Sequence, residues 1–117
     1  MLENIALIKE VHEHLPTKSA QAEAREALAK IELEKISLFR VNMCDAYEIF
    51  CVSLIRAMMS NDKRLIIISP LNLLDSLSSI DDLVDIINKL QMNKDILILD
   101  TLSNETHYKE ASCNIVK

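Results

Sequence analysis

The hydrophobic residues of this chain fall into two kinds of pattern. Two short runs are aliphatic without interruption, Leu65-Ile66-Ile67-Ile68 and Ile96-Leu97-Ile98-Leu99. Between them Ile80, Leu83, Val84, Ile87 and Leu90 recur at steps of three and four. The runs predict strands and the stepped series predicts an amphipathic helix. Ser78 with Asp81, or Ser79 with Asp82, supplies an N-terminal capping pattern for that helix. Asp81, Asp82 and Asp85 near its start and Lys89 near its end suit the helix dipole. Lys63 to Ser103 therefore reads as a strand, a crossover helix over 78–91 and a second strand. Strands so evenly apolar are expected where both faces of a parallel sheet are covered. Pro70 stops the first strand, and residues 71–77 read as a leucine-rich loop.

Upstream, Ile5, Ile8, Val11 and Leu15 predict a helix over 3–15 ended by Pro16. A short strand over Ile5–Ile8 is the competing reading. Thr17 or Ser19 would cap a second helix running to about Leu33, with Ala20, Ala24, Ala27, Leu28 and Ile31 on one face. That many small residues suit close packing against another backbone, and alanine favours the helix intrinsically. Ile36, Leu38, Phe39 and Val41 predict a strand over Lys35–Val41. Asp45 then caps a helix over Ala46–Met59, apolar almost all round, with Tyr47, Phe50, Cys51, Leu54, Ile55 and Met58 in amphipathic register.

The predicted order is α-α-β-α-β-α-β, with parallel strands and right-handed crossovers. The fold class is α/β: a small three-layer domain whose short, mainly parallel sheet of three to four strands is flanked by helices. That domain occupies residues 1–103. Residues 104–117 form a polar C-terminal tail, expected to be partly disordered.

Composition narrows the function more than it names one. Half of the 117 residues are hydrophobic, yet there are two Tyr, two Phe and no Trp, so the core must be aliphatic. A formal charge of −5 argues against nucleic acid as a partner, because phosphate binding needs a concentrated basic face. No stretch reaches the roughly 18 consecutive apolar residues of a membrane span. Met1-Leu2-Glu3-Asn4 lacks the basic start of a secretory signal, and Cys44, Cys51 and Cys113 match no zinc or redox spacing. A reduced, cytoplasmic protein is the expectation. The glycine count is zero. Phosphate-cradling loops need glycine for positive φ and close backbone approach, so the Walker A loop, the dinucleotide fingerprint and the nucleophile elbow are excluded in their usual forms.

The succession from Ile36 to Ser103 resembles the front half of a RecA-like P-loop ATPase. Ile96-Leu97-Ile98-Leu99-Asp100 is similar to that family's Walker B strand, and the resemblance implies a magnesium role for Asp100. Where the phosphate loop belongs stands Asn42-Met43-Cys44-Asp45-Ala46-Tyr47-Glu48-Ile49, with no glycine and no Lys followed by Ser or Thr. The acidic Asp45 and Glu48 would repel a triphosphate. Residues 50–100 also resemble the catalytic domain of serine recombinases. There the positions for the nucleophile and the arginines read Leu15-Pro16-Thr17 and Leu71-Asn72-Leu73-Leu74-Asp75. Either likeness implies an inactive relative.

Side-chain chemistry points the same way. His12 and His14 lie two apart and cannot form the i, i+4 pair of a helical metal site. Cys44 sits where a helix start would favour a thiolate, but Asp45 opposes it. Cys51 reads as core. No catalytic, cofactor or metal residue is expected. The functional expectation is a non-catalytic regulatory or adaptor protein that binds another protein or itself, a pseudoenzyme by ancestry. The expected contact surface comprises Ala20, Ala24 and Ala27 on one helix and Tyr47, Phe50, Leu54, Met58 and Met59 on another. The alternatives are a nucleotide-dependent regulator using Asp100, and a small acidic secretion-type chaperone.

Overall fold

The computed structural model describes residues 1–73, 80–108 and 115–116. The chain divides into two compact units, Met1–Asp62 and Lys63–Lys117.

The first unit is helical. Helix α1 spans Leu2–Glu13, buries Leu2, Ile5 and Ala6, and passes into a left-handed residue at His14 (φ 53°). Helix, not strand, is thus the form of residues 3–15. Helix α2, Thr17–Lys30, follows Pro16, which stands at the N-cap; neither Thr17 nor Ser19 acts as the cap. Its buried face is Ala20, Ala24, Ala27 and Leu28, and α1 and α2 pack against each other. The helix ends in a Schellman turn. The N–H of Leu33 donates to the Leu28 carbonyl (2.9 Å) and that of Glu32 to Ala29 (3.1 Å), with Glu32 left-handed at φ 62°.

The predicted strand over Lys35–Val41 is not formed. Two 3-10 turns, Glu34–Ile36 and Val41–Met43, take its place. Its backbone is engaged elsewhere. Leu2 N–H donates to the Ser37 carbonyl (2.9 Å) and Phe39 N–H to Ile36 (2.9 Å), while the Met1 amino group donates to Phe39 (2.6 Å). Ile36 is fully buried, whereas Leu38 is 86% exposed. The stretch is anchored at one side chain and tied to the start of α1, and its turns stand where a strand ladder is expected.

Helix α3, Ala46–Met59, has the predicted bounds and the predicted cap. Asp45 Oδ1 accepts from Glu48 N–H (2.8 Å) and Glu48 Oε1 accepts from Asp45 N–H (2.9 Å), a reciprocal capping box. Cys51, Val52, Leu54, Ile55, Met58 and Met59 are buried along it.

The second unit is a β-α-β arrangement. Strands β1 (Arg64–Ile68) and β2 (Asp95–Leu99) are parallel, pairing Arg64 with Asp95, Ile66 with Leu97 and Ile68 with Leu99. Flanking bonds from Asp95 N–H to Lys63 (2.9 Å) and from Ser69 N–H to Leu99 (2.7 Å) extend the ladder. Among the described residues the sheet has two strands, not three to four, because Lys35–Val41 contributes none. The broader α/β class stands. Part of the predicted 71–77 loop is helical, as α4 (Pro70–Leu73). The proposed Ser78–Asp81 and Ser79–Asp82 caps rest on residues outside those described. Helix α5, Ile80–Leu90, buries Ile80, Leu83, Ile86 and Leu90. A 3-10 segment over Leu102–Tyr108 follows β2 and ends on a buried Tyr108, so residues 104–108 of the predicted tail belong to it.

Candidate functional site

Most of the expected contact surface is buried within the chain. Ala20, Ala24, Ala27, Leu54, Met58 and Met59 are all buried, none more than 4% exposed. The alanine face is buried inside the chain. Only Tyr47 and Phe50 of the eight reach solvent, and each is half-buried.

Asp100 lies at the C-terminal end of β2, where ligands of α/β sheets collect. Its carboxylate is already engaged by its own turn. Oδ1 accepts from Thr101 N–H (2.7 Å) and from Asn104 Nδ2 (2.8 Å), and Oδ2 accepts from the Tyr108 hydroxyl (2.5 Å). Burial alone would raise this carboxyl. The bonds from Tyr108, Asn104 and Thr101, with the charge of His107, outweigh it and hold the group below its ordinary value. The result is a carboxylate that organises the 3-10 segment. Among the described residues no three His, Cys, Asp or Glu side chains come together as metal ligands. His12, His14 and His107 are all exposed and separate.

The thiols are quiet. Cys44 is raised by burial and by the carboxylates of Glu48 and Asp45, against a smaller opposing effect of the chain's amino terminus. Burial pushes the Cys51 thiol to about 11. Neither favours a thiolate at neutral pH. Cys113 lies outside the described residues. In the first unit an open groove of about 500 Å³ is lined by Met1, Asn4, Arg25, Phe39, Arg40 and neighbours. Both arginines are exposed, and Ser37, the buried polar residue of the lining, already donates its hydroxyl to the Glu34 carbonyl (2.7 Å).

The unexpected feature is the sheet itself. On one face Ile66, Ile68, Leu97 and Leu99 are 53, 63, 48 and 47% exposed. On the other, Ile67 is buried and Leu65, Ile96 and Ile98 are half-buried. The two strands are in register, so the four exposed side chains form a contiguous aliphatic block, with Arg64 and Asp95 beside it at the N-terminal end. Both of those are exposed, and neither makes an ion pair among the described residues. The sequence reading missed this site because it took every position of both runs as covered. The signal was present: the runs are apolar on both faces, while a single crossover helix can lie on only one.

Comparison of the chain with models of protein families, with curated proteins and with solved structures finds no match. No helix among the described residues is long and apolar enough to cross a membrane.

Proposed function

We propose that this chain is a non-catalytic regulatory or adaptor protein that works by contact with a protein surface, in a reducing compartment such as the cytoplasm. The observation that carries the reading is the exposed block of Ile66, Ile68, Leu97 and Leu99. Sheets of parallel strands are stable when both faces are covered, and an apolar patch of this kind on a folded chain marks an interaction site. Unpaired thiols at Cys44 and Cys51 support the reducing compartment. The nucleotide-dependent alternative draws on Asp100, and all three of its donors would compete with a metal ion for that carboxylate.

A photo-crosslinking amino acid placed at Leu97 tests the reading in cells that express the chain, with the exposed helical position Glu26 as control. A discrete adduct at Leu97 and none at Glu26 is expected. An adduct of twice the chain's mass reports a second copy, and one of any other single mass reports a different protein. Absence of a discrete adduct at Leu97 would overturn the reading. So would turnover of ATP or GTP by the purified chain that is abolished in Asp100→Ala.

A further inference from the structure

We propose that the occupant of the exposed sheet face is a second copy of this chain, docked face to face about a two-fold axis running parallel to the strands. The inference rests on the contact reading above and adds the partner and the geometry.

Two facts select this occupant. The first is charge. Along the exposed face the paired positions are Arg64 with Asp95, Ile66 with Leu97 and Ile68 with Leu99. A two-fold parallel to the strands keeps their direction and exchanges the two sides, so β1 of one copy crosses over β2 of the other. Arg64 then faces Asp95 of the partner subunit, and its own Asp95 faces Arg64 of the partner subunit. Ile66 meets Leu97 of the partner subunit, and Ile68 meets its Leu99. Every level of the face is matched by its complement, as a self-complementary two-fold interface requires. The other in-plane two-fold, perpendicular to the strands, lays β1 over β1 in reverse. It sets Arg64 against aliphatic residues at the far end of the strand and leaves both charges unmatched. The charge pattern therefore chooses the axis as well as the partner.

The second fact is size. Four aliphatic side chains about half exposed present roughly 400 Å² per copy, within the range of functional patches on monomers. Doubled, that is roughly 800 Å² before the flanking charges are counted, below the roughly 1,200 Å² at which stable specific interfaces begin and in the range of weak, transient ones. The area suits a weak, concentration-dependent dimer with the two sheets about 10 Å apart. It does not suit an obligate one. A patch lacking any charge partner on the opposing surface would fit this pairing less well, because an unmatched Arg64 and Asp95 would lose hydration without compensation.

Charge-reversal variants of the full chain, analysed by sedimentation equilibrium from micromolar to millimolar concentration, test both partner and axis. Arg64→Asp places two acids against two acids across the interface, and Asp95→Arg places two arginines against two arginines. Each variant alone should dimerise about tenfold or more weakly than the parent chain. An equimolar mixture of the two should recover association as a heterodimer, since every contact is then of opposite sign. Both positions are exposed, and circular dichroism of each variant should match the parent. Leu97→Lys should abolish association. A parent chain that stays monomeric to millimolar concentration would overturn the proposal, as would a mixture no tighter than its components. If the parent is monomeric while the Leu97 crosslinker captures a different protein in cells, the self-association proposal fails and the contact reading survives. If neither occurs, both fall.

Discussion

A chain without glycine must end its helices with residues that resist the required conformation, and this makes one perturbation unusually informative. Glu32 closes α2 at φ 62° and Gln91 follows α5 at φ 53°. Both are exposed. For an L-residue with a Cβ the left-handed region costs roughly 1–2 kcal/mol, whereas glycine enters it freely. Glycine returns about 0.5–1 kcal/mol of that through the greater freedom of the unfolded chain. Glu32→Gly and Gln91→Gly should therefore each stabilise by about 0.5–1 kcal/mol, or roughly 2–5 °C in Tm for a chain of this length. The control is Ala22→Gly, at an exposed position inside α2, which should destabilise by about 0.5–1 kcal/mol. Gln91→Gly leaves the net charge unchanged, and Glu32→Gln separates the charge from the conformational effect at the other site. Urea unfolding followed by circular dichroism measures all four, and an unchanged m-value shows that only stability moved. The same introduced residue must act with opposite signs at the two kinds of position. If Glu32→Gly and Gln91→Gly lose stability as Ala22→Gly does, the helix-terminal geometry assigned here is wrong.

Two further perturbations follow. Asp45→Ala removes the acceptor for Glu48 N–H and should cost about 1 kcal/mol in urea unfolding, while Asp45→Asn, which can still accept, should cost a smaller amount; equal losses would deny the capping box. Tyr108→Phe removes the largest favourable hydrogen bond to Asp100, so the carboxyl should titrate closer to its ordinary 3.8 in carbon-detected NMR. The lowered pKa means that Asp100 contributes stability above the ordinary carboxylate range, and that this contribution is lost as pH falls through the lowered value. Tyr108→Phe should accordingly narrow the stability difference between neutral and acid pH, and an unmoved Asp100 titration would contradict the bonding described.

What could be read from the sequence depended on how local each determinant is. The α3 bounds were legible because Asp45 and Glu48 make the cap three residues apart, within one turn of chain. The parallel pairing of the two aliphatic runs was legible because a helical stripe between two strand-like runs has few other solutions. Lys35–Val41 failed for the opposite reason. Ile36, Leu38, Phe39 and Val41 have strand-forming side chains, but a strand also needs a neighbour, and the carbonyls of Ser37 and Phe39 receive donors from the start of α1 instead. The alanines of α2 are buried, but residue type does not distinguish an internal partner from an external one.

The same distinction bears on the proposed contact surface. Whether a strand face is covered is not written in the strand. It depends on how many elements reach it. Ile66 and Ile67 are identical in type and adjacent in sequence, yet one is 53% and the other 7% exposed. Their chemistry asks for the same environment, and the two-stranded unit supplies it on one side. Polar substitution at Ile66, Ile68, Leu97 and Leu99 would resolve that mismatch at little cost to a strand exposed on one face, since alternating apolar and polar residues suffice there. The chain instead keeps aliphatic residues at all four and ends the face with an acid beside a base. The combination makes sense if the missing layer is supplied from outside the chain, and the matched charges make a second copy of the same sheet the surface that fits it.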